Sequence, residues 1–128
     1  METHVITTRA ATVWLGTDSI MRIISLPGTG QTLDDAQELV ATVKHLSGGI
    51  SRPLLVDMRE MTSQSRDARH YYADSEAAGT IRAAALVISS PLSRVIANFA
   101  MGFNHMHVPT KLFTSEDDAL AWLKTFLV

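Results

Sequence analysis

The stretch LLVDMREMTSQSRDAR, residues 54–69, gathers side chains that could do chemistry. Asp57 closes an apolar run, and Arg59, Ser63, Ser65, Arg66 and Arg69 follow within twelve positions. Helix N-termini attract anions, because their first N–H groups are unpaired and the helix dipole is positive there. If a helix begins near Ser65, the three arginines and two hydroxyls form a candidate ligand or partner surface, and Ser63 and Ser65 are candidate phosphoacceptors. A simpler chemistry accounts for the same residues. Ser65 would cap the helix, worth about 1 kcal/mol, Asp57 would accept loop amides, and the arginines would be solvated.

Other reactive groups are sparse. His105 and His107, in His105-Met106-His107, share a side if the backbone there is extended, and neutral imidazole is a common metal ligand. A structural metal wants about four ligands, and no third histidine or nearby acid is evident. His70 beside Tyr71-Tyr72 could move protons or simply ride a half-exposed helix face. There is no Gly-x-Ser-x-Gly elbow, Walker loop or dinucleotide glycine pattern. Gly28-Thr29-Gly30-Gln31-Thr32 lacks the Lys-Ser/Thr pair of a phosphate loop and reads as a strand-to-helix turn capped by Thr32. No catalytic residue set emerges, no cofactor is implied, and the expectation is a non-enzyme.

The elements that must position these groups follow from periodicity. HVITTRAATVWLG and SIMRIISLP are β-rich, bounded by Gly16-Thr17-Asp18 and Pro27-Gly28, and predict two strands in a hairpin. From Thr32 the period changes. Ala36, Leu39, Val40, Val43 and Leu46 share one helical face, Thr32 and Asp35 have capping-box spacing, and Gly48 is a natural stop. PLLVDM is a continuous apolar strand, the pattern of one covered on both faces. A helix over Ser65–Ala78 carries a stripe of Ala68, Tyr71, Ser75 and Ala78. IRAAALVISS is another buried strand, and Ser90-Pro91 opens a helix with Leu92, Val95, Ile96, Phe99 and Phe103 on one face. PTKLFT is a short strand. Thr114 with Asp117, or Ser115 with Asp118, can cap a last helix facing inward through Leu120, Leu123 and Leu127. The order β-β-α-β-α-β-α-β-α implies an α/β fold with a mostly parallel sheet, right-handed crossovers and an antiparallel N-terminal edge.

Composition bounds the rest. With 128 residues, 46% apolar and 19% charged, the chain is long enough to bury a core and is expected to form a single domain over residues 1–128. A net charge of −2, with eleven Lys and Arg scattered among thirteen acids, argues against nucleic acid as a partner. The absence of cysteine excludes disulfides, thiolate metal sites and thiol nucleophiles. No apolar run approaches the roughly 20 residues of a membrane span, so a cytoplasmic location is the default.

This order and length resemble the STAS or anti-sigma-factor-antagonist (SpoIIAA-like) fold, in a superfamily that also holds small SEC14-like domains. The resemblance covers nearly the whole chain and implies a single-domain sandwich with helices mainly on one face of the sheet. In that family a strand ending in Asp leads through a short loop to a helix whose first turn carries a regulatory phosphoserine. Asp57 matches the strand end and Met61-Thr62 the loop. The motif here reads Gln64-Ser65-Arg66-Asp67, with Ser65 at the capping position and Arg66 or Asp67 at the phosphoserine position.

The leading expectation is therefore a regulatory or protein-interaction module presenting the Asp57–Arg69 edge. The alternative is a binder or carrier of a small apolar or anionic ligand, as the SEC14-like branch implies. The Leu92–Met106 segment is apolar around more than one face, with Ala97, Ala100 and Met101 beside its main stripe. That pattern points to self-association, as a homodimer, through this helix.

Overall fold

The computed structural model describes residues 4–74, 81–89 and 108–127. A sheet of six strands organises them, in the order β1, β2, β3, β5, β7, β8. These are β1 Val5–Thr7, β2 Ala11–Leu15, β3 Met21–Ser25, β5 Arg52–Asp57, β7 Ile81–Val87 and β8 Thr110–Phe113. β1, β2 and β3 pair antiparallel, and β3, β5, β7 and β8 pair parallel. The mostly parallel sheet with an antiparallel N-terminal edge is thus the observed architecture.

Two further strands, β4 Thr29–Gln31 and β6 Met61–Gln64, form a separate parallel pair. Both correct the sequence reading, which placed a turn at Gly28–Thr32 and a loop at Met61-Thr62. Three and four residues carry too little periodicity to announce a strand. Their pairing joins segments more than thirty residues apart, through Gly30 opposite Ser63 and Gln31 opposite Gln64. The single N-terminal strand expected over His4–Gly16 is likewise two. Thr8 folds the chain back on itself: its Oγ1 accepts the N–H groups of Ala10 and Ala11, and its own N–H donates to the Ala11 carbonyl at 2.8 Å. A hydroxyl that bonds nearby backbone in this way gives the chain an alternative to the ladder.

Among the described residues there are three helices, α1 Leu33–Ser47, α2 Arg66–Asp74 and α3 Glu116–Lys124. α1 begins with the expected capping box and ends at Gly48 in the left-handed conformation, φ 66°. Ala36, Leu39, Val40 and Val43 are buried on its inner face, and Leu46 packs partly against them. At α3 the choice between two caps resolves to Ser115, whose hydroxyl accepts the Asp118 N–H. Ala119 and Leu123 are buried there, whereas Leu127, expected inward, lies past the helix end and is 37% exposed.

The two faces of the sheet hold two cores. On one, Val13, Met21, Ile23, Leu54, Val56 and Leu86 pack against α1 and, through Ala68, α2. On the other, Ile20, Leu55, Ala83, Ala85 and Val87 meet Ala119 and Leu123 of α3. Strand side chains alternate between faces, so Leu54 and Leu55 feed opposite cores. Each buried side chain of this size is worth about 1.5–3 kcal/mol. Two of the three described helices therefore share one face. The C-terminal part of the expected second helix, beyond Asp74, and the whole Leu92–Met106 helix with Ser90, Pro91, His105 and His107 lie outside the described residues.

The β2–β3 turn is tight. Ser19 takes φ 69°, and Asp18 holds Arg22 through two bonds, Nη1 to Oδ1 at 2.8 Å and Nη2 to Oδ2 at 2.9 Å. Gly16 leaves the space this needs, since a Cβ there would come within 2.0 Å of Arg22 Nη1.

Candidate functional site

β5 ends at Asp57, beside Ile24 of β3 and Val87 of β7. This is the end toward which the parallel strands point, where open α/β sheets bind ligands. The chain leaves it through Met58, whose N–H donates to the Val87 carbonyl at 2.9 Å, turns at Arg59-Glu60, and enters β6. The geometry then divides the expected site residues into two groups.

Asp57 is buried and lies on the α3 side, two residues beyond Leu55. Its carboxylate accepts Arg59 three times: from the backbone N–H at 3.1 Å, from Nε at 3.0 Å and from Nη2 at 2.7 Å. These bonds raise the Arg59 pKa above its usual value, with smaller contributions from Glu116 and Glu60. Asp57 therefore accepts one loop amide, as its position at the strand end predicts, and also fixes the Arg59 guanidinium, which corrects the expectation of a solvated arginine. A two-point bond of this kind orients as well as attracts.

Ser63, Ser65, Arg66 and Arg69 belong to the other side, where α2 packs. The Ser65 hydroxyl accepts the Ala68 N–H at 3.1 Å and so caps α2, while the Ser65 N–H donates to the Gln31 carbonyl at 2.9 Å. Arg69 Nη1 donates to the Gln64 carbonyl at 2.7 Å, which ties the first turn of the helix back onto β6. Ser63 and Arg66 are exposed. The Ser63 side chain rests against Gly30, where a Cβ would lie 2.6 Å from its Oγ. The six residues thus do not converge on one point. Asp57 and Arg59 form one locked pair, and the four on the α2 side form a strip along the start of the helix.

Three features of this edge went unseen in the sequence. The first is Arg9, in the β1–β2 loop, whose Nη2 donates to the Gly30 carbonyl at 2.7 Å and whose Nε donates to Asp35 Oδ1 at 2.8 Å. Arg9 and the Thr32 N–H and hydroxyl hold the Asp35 carboxyl down to about 2, against a burial effect that works the other way. The second is the buried Gln31–Gln64 pair, in which Gln64 Nε2 donates to Gln31 Oε1 at 2.9 Å and Gln64 Oε1 has no partner. The third is Glu116, close enough to act on both Arg22 and Arg59. Only Thr32-Asp35 had a local signal, its spacing. The partners of Arg9 lie 21 and 26 residues away. Among the described residues no cluster of three acids or histidines has metal-binding geometry, and no helix is long and apolar enough to cross a membrane.

Comparison with known proteins places this geometry. A solved structure of an uncharacterised protein of the DUF3478 family from Shewanella loihica PV-4, described as having a SpoIIAA-like fold, superposes with a TM-score of 0.61. The match covers 95% of this chain and 92% of that one at 16% identity, which establishes a shared fold. No curated protein matches the sequence. The model of a domain of unknown function, DUF7793, matches residues 13–127, from the second strand through the last helix, and the chain belongs to that family.

Proposed function

We propose that this protein is a non-enzymatic regulatory or interaction module, and that its working surface is the strip where β6 passes into α2. One observation carries the reading: the groups behind the strip are tied down while those on it face outward. Ser65 is spent on its cap and Arg69 on the Gln64 carbonyl, whereas Ser63 and Arg66 are exposed. A polar surface held in place from behind loses little conformational freedom when a partner arrives, which favours binding. The same contrast ranks the hydroxyls. Ser63 is the phosphoacceptor of this reading, since modifying Ser65 would break the cap of α2. Asp57 and Arg59, on the other side of the sheet, hold the strand end in shape.

The test is capture of partners from the native cell by the full chain and by Ser63→Glu and Arg66→Glu, with phosphopeptide mapping of the native protein. The expected result is a partner retained by the wild type and lost by both variants, with circular dichroism unchanged, and any phosphate on Ser63. Partners retained equally by all three proteins would overturn the reading. A lipid co-purifying in native mass spectra, unaffected by either substitution, would support a carrier instead.

A further inference from the structure

We draw no further inference here: the strongest candidate, the shallow depression of about 260 Å³ on the β2–β3 hairpin between Trp14, Gly16, Thr17, Asp18 and Arg22, has its charged pair already spent on closing the turn, and nothing in the structure shows what would cover the sheet face onto which it opens.

Discussion

Two strand-to-helix junctions lie side by side in this molecule and are finished differently. β4 runs through Thr32 into α1, and β6 runs through Ser65 into α2. The strands are paired, and the Ser65 N–H bonds the Gln31 carbonyl, so the junctions share a backbone frame. The first is tied down by more bonds. Its capping box is reciprocal, Asp35 is buried, and Arg9 reaches over from another loop to hold both Asp35 and the Gly30 carbonyl. The second has one side-chain cap, from Ser65, and leaves Ser63, Arg66 and Asp67 exposed. The same strand-to-helix arrangement thus spends more of its polar side chains internally in one place than in the other. What separates them is how many of the polar groups at each helix start are consumed internally.

The comparison can be broken at its joint first. Gln31→Ala removes the partner of a buried amide and leaves Gln64 unpaired, at a cost of about 1–3 kcal/mol. The double replacement Gln31→Met/Gln64→Met, similar in volume and apolar on both sides, should come close to the wild type in urea unfolding. A double variant as unstable as the single one would show that the amides do more than satisfy each other. Next, Asp35→Ala should cost about 1–2 kcal/mol through loss of its charge-assisted bonds to Arg9 and the Thr32 N–H, more than Ser65→Ala.

That effect has a pH signature. The Asp35 carboxyl titrates at about 2 when folded and near 3.9 when unfolded. A depressed folded value stabilises above the unfolded pKa and loses that stabilisation as pH falls through the folded one. The wild-type advantage over Asp35→Asn should therefore be full above about pH 4 and fade toward pH 2. A constant gap across that window would remove Asp35 from the account. Ser65→Ala should cost about 1 kcal/mol, for one cap with no ion pair behind it. Ser63→Ala should change stability by less than about 0.5 kcal/mol. Equal losses at Ser63 and Ser65, measured by denaturation midpoint, would erase the distinction between cap and free hydroxyl.

Legibility in the sequence tracked the range of the interaction. The α1 face, its capping box, its Gly48 stop and the doubly covered β5 were plain, because each is written within a turn or two of chain. Ser65 as cap was equally readable, and so was the emergence of residues 57–65 at the pointing end of the strands. The β4–β6 pair was hidden, since neither strand is long enough to show a period and each looks like a turn without the other. Arg9 was hidden for the same reason, as nothing in Thr8-Arg9-Ala10 names a partner 26 residues on. The division of the site into two sides was not foreseen either. It depends on whether Asp57 sits an odd or an even number of residues from a core position, and a strand buried on both faces does not display that parity.

The contact between Gly30 and Ser63 restricts how this chain can change over generations. With only 2.6 Å between the Ser63 oxygen and the place a Cβ would occupy at position 30, a side chain there would drive the hydroxyl out of its present seat. The Ser63 Cβ would stay 4.0 Å away, so the conflict falls on the rotamer of one exposed hydroxyl and not on the backbone that pairs the two strands. A lineage that acquires alanine at 30 is expected to turn the Ser63 hydroxyl to another rotamer, or to carry alanine at 63, and so to give up whatever that oxygen touches in its present seat.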